Sequence, residues 1–274
     1  MKFIFDLDEE ISHFIENSEL DEINIGCSSA QVIKINKDCK TYFLKIATKG
    51  TLLSEYQKLK WLDKRLKVPK VVMYKSTNDA DFLITEALTG EMLCSKTYKE
   101  DPILGVKVLV QAFEEIYAVD IKDCPFDTSI DYRLSEIKQW ISNKDIKEKN
   151  INPEILKKYG SIENILKYLD ENKFHDELCF SFGDISLPNV FGKGDKLTGF
   201  IDVGECGMAD KWFDLAICEK SIKRNYGEKY ISEFYNQLGI IPDRNKIDYY
   251  LLMMEVYVWF LTTVTWMFCS RNEI

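Results

Sequence analysis

The sequence predicts an α+β protein of two lobes, a small sheet-plus-helix lobe followed by a mainly helical one. Before Gly90, short runs of β-branched and aromatic residues alternate with polar ones, as in half-buried strands. After Gly90, apolar residues recur at helical spacing, and Asp-Pro or Asn-Pro pairs mark helix starts. We therefore predict an N-terminal lobe over residues 1–87 and a C-terminal lobe over 88–274.

The N-terminal lobe is expected to combine a small sheet with two helices. Apolar residues at helical spacing predict a short helix over 7–17 and a long one from 52 to 66, which ends before Val68-Pro69. Alternating, β-branched segments predict four strands, at residues 31–35, 42–47, 71–74 and 82–85. This is a lobe and not a complete doubly wound domain.

The C-terminal lobe begins with helix signals. Asp101-Pro102 and Asn152-Pro153 each place a capping side chain before a proline at the first helical position. Ser161 starts a further helix that runs towards Leu169. These signals predict a lobe built mainly from helices.

Two β segments are expected to interrupt this helical lobe. Residues 178–182 and 197–203 have strand patterns, and a turn at Gly194-Asp195 is expected to join them as a hairpin. Helices are expected to resume at Asp214 and to continue to the end of the chain. The sequence thus predicts one small β element inside the helical lobe.

The apolar segment from Tyr249 to Cys269 has nearly the length of a membrane span, which takes about 20 apolar residues. Glu255 lies within it, and a carboxylate inside a bilayer is costly. We therefore predict a buried helix of a bundle and no membrane association.

Composition argues against several functions. The net charge is −9 and the pI about 5.0, which disfavours nucleic-acid binding through phosphate contacts. Two histidines without partners at metal-ligand spacing give little support for zinc catalysis or a Ser-His-Asp hydrolase. Eight scattered cysteines and an N-terminus without a secretory pattern fit a cytoplasmic protein with reduced thiols.

The stretch CFSFGDISLPNVF, residues 179–191, carries the strongest chemical signal. It places Asp184 after a glycine and Asn189 five residues later, between apolar flanks. Phosphoryl transfer uses such a pair, since an Asp accepts the proton of the attacking hydroxyl and an Asn reaches a magnesium ion. Asp202, after a second strand pattern, supplies the further acid that this chemistry needs. We expect the intervening turn to bring these groups towards one cleft.

Phosphoryl transfer also requires a strand lysine that holds phosphates and a helical glutamate that orients it. Lys45 in YFLKIA and Glu55 in LLSEYQKL fill these positions. A lone G-D-x-x-x-x-N is more often a turn with a capping Asp, and a lone strand lysine is usually solvated. Together and in this order, the features favour a kinase.

Several segments resemble the aminoglycoside 3'-phosphotransferases, antibiotic-resistance kinases with a protein-kinase-like fold. GDISLPN and GFIDVGECGMADKWFDLA resemble their catalytic and metal-binding stretches. The similarity continues through IGCSSAQVIKI, VPKVV, LITEALTGEMLCS, DCPFDTSIDYRL and KIDYYLL, so it covers most of the chain. The resemblance implies a kinase-like two-lobed fold, with a nucleotide-binding first lobe and a catalytic, substrate-binding second lobe.

The resemblance also implies roles for individual residues. Asp184 would be the catalytic base, and Asn189 and Asp202 would bind magnesium. Asp214 would be a buried acid that holds the catalytic loop. The implied nucleotide-binding residues are Ser28 over the phosphates, Phe43 stacked on the base, Lys45 and Glu55 as phosphate-anchoring pair, and Thr85 and Ala87 as hinge backbone groups.

The chain departs from the family pattern at the catalytic loop and at the drug site. Phe182 stands where the family usually has His, so we expect a less rigidly held loop and reduced activity. Glu154 and Glu255 match substrate-binding carboxylates, although a helix-start role for the first and an ion-pair role for the second remain open. Ile151 and Met254 occupy positions that are often acidic in the family.

A last departure is at the C-terminus, where Val258–Ile274 continues past the place where close relatives end. We expect this extension to cover or reshape the drug pocket beside Glu255.

The resemblance implies transfer of the γ-phosphoryl group of ATP or GTP, with Mg²⁺, to a hydroxyl of a cationic aminoglycoside. The 3'-OH is the hydroxyl that we expect. One alternative is a kinase of another amine-bearing metabolite such as choline, homoserine or an amino sugar, since a fold does not fix its substrate. Another is a non-catalytic nucleotide-binding relative. We expect a monomer or a weak dimer.

Overall fold

A computed structural model describes residues 2–23, 30–143, 146 and 148–261. The chain forms two compact units. The first contains the residues up to Gly90 together with Thr198–Gly204, and the second contains Glu91–Leu197 and continues from Glu205 into the last helix. The predicted α+β fold is confirmed, since the first unit is built on a sheet and the second is mainly helical.

The first unit is built on a five-stranded antiparallel sheet of order β1-β2-β3-β5-β4. Its strands are β1 (Glu19–Glu22), β2 (Gln31–Lys37), β3 (Lys40–Thr48), β4 (Val71–Ser76) and β5 (Ala80–Glu86). The four predicted strands are therefore confirmed, and β1 is an addition. Its sequence ELDE is exposed except for Leu20, which is why alternation did not reveal it.

One face of this sheet carries the core of the unit. Side chains of a strand alternate between the two faces, so Leu44 and Ile46 of β3 lie on the same face as Ile84 of β5. These residues are fully buried together with Ile11 of α1 (Glu9–Ile15), whose N-terminus is capped by Asp8. The opposite face of β3 is left for Phe43 and Lys45.

Helix α2 (Leu53–Leu62) and the segment 198–204 complete the first unit. The Phe200 N–H donates to the Lys67 carbonyl over 2.8 Å, and the Thr198 hydroxyl donates to the Thr89 carbonyl over 2.6 Å. At Gly199 an added Cβ would lie 2.5 Å from the same Lys67 carbonyl oxygen, so only glycine allows this approach. These contacts place the segment that carries Asp202 in the first unit.

The second unit contains eight helices among the residues that the structure describes. They are α3 (Lys96–Glu100), α4 (Pro102–Tyr117), α5 (Ile130–Ser142), α6 (Pro153–Tyr159), α7 (Ile162–Glu171), α8 (Lys211–Asn225), α9 (Lys229–Leu238) and α10 (Arg244–Leu261). The predicted helix starts are confirmed: Asp101 accepts from the Leu104 N–H, Asn152 from the Glu154 N–H, and Ser161 from the Asn164 N–H.

Five further short strands follow the sheet of the first unit along the chain. They are β6 (Glu91–Met92), β7 (Leu178–Ser181), β8 (Val190–Lys193), β9 (Lys196–Phe200) and β10 (Gly207–Asp210), arranged in one sheet of order β10-β7 and another of order β6-β8-β9. The last of them but one, β9, ends in the segment 198–204 of the first unit. The predicted hairpin between 178–182 and 197–203 is wrong. The Gly194-Asp195 turn is tight and joins β9 to β8, so the earlier strand β7 pairs with β10 instead.

A second correction concerns helix α8. It begins at Lys211 and not at Asp214, because the Asp210 side chain accepts from the Trp212 N–H and so caps the helix one turn earlier. Asp214 consequently points from the first turn of a helix, in a fully buried position.

The apolar C-terminal segment behaves as predicted where the structure describes it. Tyr249–Tyr257 lies in α10, which packs against α5, α7 and α8, and Met253 and Val256 are fully buried. Among the described residues, no helix has the length and hydropathy of a membrane span. The predicted role of the extension Val258–Ile274 stays a prediction, since residues 262–274 lie outside the described ranges.

Candidate phosphoryl-transfer site

Lys45 lies at the centre of a charged cluster in the first unit. Its Nζ is 2.6 Å from Oε1 of Glu55 on α2 and 3.7 Å from Oδ1 of Asp202. Burial alone would lower the pKa of Lys45, but the charges and hydrogen bonds of Glu55 and Asp202 outweigh it and raise that pKa. The lysine is therefore a fixed cation at neutral pH, as phosphate binding requires.

Asp202 is held in an unusual backbone conformation. Its φ is +64°, in the left-handed region that disfavours residues with a Cβ, and it follows β9 directly before the helical turn Val203–Glu205. Its side chain is 46% exposed, so the carboxylate beside Lys45 remains open to a ligand. Strained conformations of this kind occur at functional sites more often than elsewhere.

Helix α2 receives its N-terminal cap from the sheet. Leu52, at the N-cap position, has no side chain that could accept a hydrogen bond. The fully buried Asp81 of β5 accepts instead, from the Leu52 N–H over 3.1 Å and from the Ser76 hydroxyl over 2.7 Å. A carboxylate at a helix N-terminus is favourable, and here it fixes the helix that carries Glu55.

The predicted base-binding residues lie side by side on the sheet. Phe43 and Thr85 are directly opposite each other in the β3–β5 register, and Phe43 shares a face with Lys45. The Ala87 N–H donates to the Thr41 carbonyl over 3.0 Å. A contact between Ala87 and a base stays a prediction, and it would use the Ala87 carbonyl. Ser28 lies outside the described residues.

The catalytic-loop sequence folds around alternating buried anchors in the second unit. Phe182, Ile185, Leu187 and Val190 are fully buried, whereas Asp184 is half-buried. The Leu187 N–H donates to the Ser221 hydroxyl oxygen over 2.9 Å. The apolar flanks thus fix the backbone on both sides of the one carboxylate that stays accessible.

Asp184 and Asn189 are in direct contact. The Asn189 side-chain amide nitrogen donates to the Asp184 carboxylate over 2.9 Å and to the Asp184 carbonyl over 3.0 Å. Since both bonds use the nitrogen, the amide oxygen is the atom of Asn189 that would serve a cation. The five-residue spacing therefore brings the carboxylate and the amide into contact, while their roles as base and metal ligand stay predictions.

Asp214 holds this loop through its backbone, as predicted. Its carboxylate accepts hydrogen bonds from the Ser181 hydroxyl (3.0 Å), the Phe182 N–H (2.7 Å) and the Gly183 N–H (2.9 Å). Burial raises the pKa of Asp214 to about 6, while these donors and the Arg133 guanidinium oppose the shift. None of these bonds uses the Phe182 side chain, so a reduced activity caused by that residue stays a prediction.

Gly183 is required for this geometry. Its φ is +82°, and an added Cβ would lie 2.2 Å from the Glu205 carbonyl oxygen. No side chain fits there without moving the backbone. The glycine before the predicted base is thus explained by a close backbone approach.

The two predicted substrate carboxylates differ in their surroundings. Glu154 is exposed in the first turn of α6, and its N–H donates to Asn152, which fits the helix-start interpretation. Glu255 is 19% exposed and pairs with Lys220 of α8 over 3.5 Å, while its other oxygen accepts from the Asn152 N–H over 3.4 Å. Burial lowers the pKa of Lys220, and Glu255 partly offsets this. Glu255 thus has the paired role, and binding of substrate stays a prediction.

The two residues predicted to bind magnesium, one in each unit, offer oxygen atoms of a suitable type. Asp202 offers an exposed carboxylate and Asn189 an oriented amide, and Mg²⁺ prefers oxygen ligands, few of them from the protein. Among the described residues there is no cluster of three or more His, Cys, Asp or Glu side chains that could hold a metal alone.

A strand lysine paired with a helical glutamate, beside an acid that follows a strand, is the arrangement of kinase-like phosphotransferases. The family model described as phosphotransferase enzyme family matches residues 19–250. The chain belongs to this family, and the predicted enzyme class is confirmed.

Sequence relatives support the resemblance inferred from the motifs. The chain is 33% identical over 258 residues to a protein of Enterococcus faecalis named aminoglycoside 3'-phosphotransferase, covering 90% of this chain and 97% of the relative. A protein of the same name from Campylobacter jejuni is 34% identical over 251 residues, covering 87% and 99%.

Solved structures confirm the kinase-like fold. An aminoglycoside-3'-phosphotransferase of type VIII superposes with a TM-score of 0.76 at 23% identity, covering 90% of this chain and 97% of that one. The Streptomyces rimosus aminoglycoside phosphotransferase APH(3'')-Id, solved with ADP and streptomycin, gives a TM-score of 0.70 at 18% identity, with 90% and 96% coverage.

Sequence reasoning missed two residues that support the Lys45 cluster, Asp81 and Lys58. Both are buried although charged. The local sequence gives no signal for this, since Lys58 lies between Gln57 and Lys60 and Asp81 follows the polar stretch 76–79. Sequence reasoning also missed Lys220 of α8, whose partner Glu255 lies on α10, far away in the sequence.

Proposed function

We propose that this chain transfers the γ-phosphoryl group of ATP or GTP to a hydroxyl of an aminoglycoside, the 3'-hydroxyl in particular. The observation that carries the proposal is the pair of contacts made by Lys45, to Glu55 at 2.6 Å and to Asp202 at 3.7 Å. A lysine held as a cation beside an exposed acid fits a site for a triphosphate with its metal. The family and the names of its relatives supply the acceptor.

Each group of the chain has a part in the proposed reaction. Lys45, oriented by Glu55, binds the α- and β-phosphates. Phe43 stacks on the base, and the backbone at Thr85 and Ala87 meets its edge. Asp184 accepts the proton of the attacking hydroxyl, and its contact with Asn189 keeps the carboxylate oriented.

Asn189 and Asp202 would hold Mg²⁺, which when bound neutralises charge on the transferring phosphoryl group. These residues otherwise serve to position the reactants, since phosphoryl transfer leaves the protein little covalent chemistry. Catalysis is thus assigned to orientation and charge.

The acceptor is proposed to be polycationic, because carboxylates are the groups that would bind it. Glu255 lies among buried residues of α10, and Glu154 is exposed on α6. Ile151 and Met254, at the two positions that are often acidic in the family, are uncharged, and they are buried at 2% and 3% exposure. We therefore expect fewer ammonium contacts than in relatives that carry acids there. Each missing ion pair at such a recessed site weakens binding by about 1 kcal/mol.

The proposed setting is the cytoplasm, where nucleoside triphosphates are available, and the proposed working form is a monomer or a weak dimer. The free thiols of Cys39, Cys179 and Cys218 agree with a reducing compartment.

Mass spectrometry after incubation with Mg²⁺ and either nucleotide tests the proposal. Aminoglycosides that carry a 3'-hydroxyl should gain one phosphoryl group, and matched compounds without that hydroxyl should not. The alternative acceptors, choline, homoserine and simple amino sugars, belong in the same panel. Phosphorylation of one of these with no aminoglycoside product would replace the proposed substrate, and no product from any acceptor would favour a non-catalytic role.

A further inference from the structure

Lys58 is a buried lysine that neither the motifs nor the proposed reaction explain. It lies on α2, three residues after Glu55, and is only 7% exposed. Residues three apart lie on the same side of a helix, so Lys58 and Glu55 project in similar directions. A methionine of similar length would fill this place without the cost of burying an ammonium group.

The Lys58 ammonium donates a hydrogen bond to the Gly204 carbonyl. Gly204 is two residues after Asp202, at the end of the segment that belongs to the first unit. The bond therefore connects the helix that carries Glu55 with the short segment that carries the proposed metal ligand. Charge-assisted bonds of this type are among the stronger ones.

The segment around Asp202 needs such support. Asp202 has a left-handed φ of +64°, and its side chain is 46% exposed, so neither local backbone preference nor burial of that side chain holds it. The preceding contact that fixes the segment is the bond from the Phe200 N–H to the Lys67 carbonyl. Lys58 supplies a hold on the other side of Asp202.

We infer that Lys58 is a positioning residue that fixes Asp202 relative to the Lys45–Glu55 pair. Helix α2 then positions two groups: Glu55 orients the proposed phosphate-binding Lys45, and Lys58 fixes the segment that carries the proposed metal ligand Asp202. The inference rests on the proposed function, because it assigns to Lys58 an effect on Mg²⁺–nucleotide binding. The role assigned to Lys58 is to position Asp202 and not to bind nucleotide or metal itself.

Nucleotide binding with and without magnesium tests the inference. The variants are Lys58→Met, Lys58→Gln and Lys58→Arg, and the matched control is Lys60→Met, on the same helix but exposed. Titration calorimetry with ATP would be run in Mg²⁺ and in EDTA. We expect Lys58→Met and Lys58→Gln to weaken binding in Mg²⁺ about tenfold, the loss of one bond to a charged group, and to change binding in EDTA less than about twofold. Lys58→Arg should stay close to the wild type.

Hydrogen exchange in the nucleotide-free protein provides a second readout. The amides of residues 203–206 should exchange faster in Lys58→Met and Lys58→Gln than in Lys60→Met, while those of β3 stay unchanged. Equal losses with and without Mg²⁺, or Lys58 variants that match Lys60→Met in both measurements, would overturn the inference. An Asp202→Asn variant that keeps wild-type Mg²⁺-dependent binding would instead refute the proposed role of Asp202 itself.

Discussion

The Lys45 cluster of the first unit and the Asp184 loop of the second are built on different physical principles. The cluster is held by charges: the Lys45 side chain contacts both Glu55 and Asp202, and Asp202 is 46% exposed. The loop is held by its backbone: Asp214, fully buried, accepts from two consecutive N–H groups and a hydroxyl. The difference separates a region that can adjust to a ligand's charge from one whose geometry is set in advance.

This contrast fits the two tasks that the proposed reaction assigns. A nucleotide with its metal brings several charges that must be matched, and the exposed Asp202 carboxylate can adjust to them. A general base must be in place before the acceptor arrives, because proton transfer requires hydrogen-bond distance to one particular hydroxyl. We therefore expect changes in the cluster to alter nucleotide affinity and changes in the loop to alter turnover.

Asp184→Asn tests this separation with the largest expected effect. Turnover should fall about 10³-fold, because the amide cannot accept the proton, while nucleotide affinity stays within about twofold. Steady-state kinetics and calorimetry would give both values. The matched control is Asp195→Asn. Asp195 lies on the β8–β9 turn and forms an exposed ion pair with Lys107, so its substitution should leave turnover and nucleotide affinity unchanged. Retained turnover in Asp184→Asn would reject this residue as the base.

Gly183→Ala tests whether the loop geometry is fixed by the backbone. The added Cβ meets the Glu205 carbonyl oxygen, so we expect a loss of at least about 2 kcal/mol in the free energy of unfolding and a drop in turnover. Gly194→Ala is the control, since Gly194 also has a positive φ but no atom within 4 Å of the added Cβ. Chemical denaturation of both variants measures the difference. Equal losses would show that backbone strain alone, without the clash, accounts for the effect.

Glu55→Gln tests the ionic character of the cluster. Removing the charge that holds Lys45 should weaken nucleotide binding about tenfold and leave stability nearly unchanged. Glu10→Gln removes another lysine–glutamate pair of the same unit, the exposed one with Lys75, and should not change nucleotide affinity. If both variants bind nucleotide equally well, the Lys45 pair has no special role.

The pH dependence should separate stability from activity at Asp214. Its pKa is about 6 in the folded chain against an ordinary 3.8, so between about pH 4 and 6 the folded state binds more protons than the unfolded one. The contribution of this group to the free energy of unfolding therefore falls as the pH rises through that window. Activity should rise several-fold in the same window, because the ionised carboxylate is the form that accepts all three hydrogen bonds.

Thermal unfolding and turnover of the wild type and of Asp214→Asn, followed over this pH range, would check the two opposite trends. Asp214→Asn should lose the part of the pH dependence that comes from this carboxyl group, in thermal stability and in turnover alike. Identical pH profiles in the two proteins would contradict the assignment.

Lys220→Met is expected to have the smallest effect. The lysine occupies the Glu255 carboxylate that we assign to the substrate, so its removal should lower the KM for a cationic acceptor about threefold. Lys223→Met, on the same helix and paired with exposed Glu228, is the control. A higher KM in Lys220→Met would mean that this lysine supports binding instead of competing with the substrate.

The catalytic loop was predictable because its groups are close in the sequence. Asp184 and Asn189 are five residues apart. The apolar residues between and beside them are the ones that the structure buries. Lys45 and Glu55 were recognisable as a strand lysine and a helical acid in the expected order. These patterns need only local structure to be read.

The supporting contacts were not predictable, because they join distant parts of the chain. Lys58 and Gly204 are 146 residues apart, and Asp81 and Leu52 are 29 apart. The wrong hairpin has the same origin: the turn was read correctly from Gly194-Asp195, but the partner of β7 lies beyond it, in β10. Pairing between distant strands depends on packing that a local pattern does not contain.

A crystal structure with a non-hydrolysable ATP analogue, Mg²⁺ and a 3'-hydroxyl aminoglycoside would test the central claim most directly. We expect Lys45 to contact the phosphates of the bound nucleotide and the Asp184 carboxylate to lie within hydrogen-bond distance of the 3'-hydroxyl. A complex in which the nucleotide contacts Lys45 but the 3'-hydroxyl lies out of reach of Asp184 would contradict this claim.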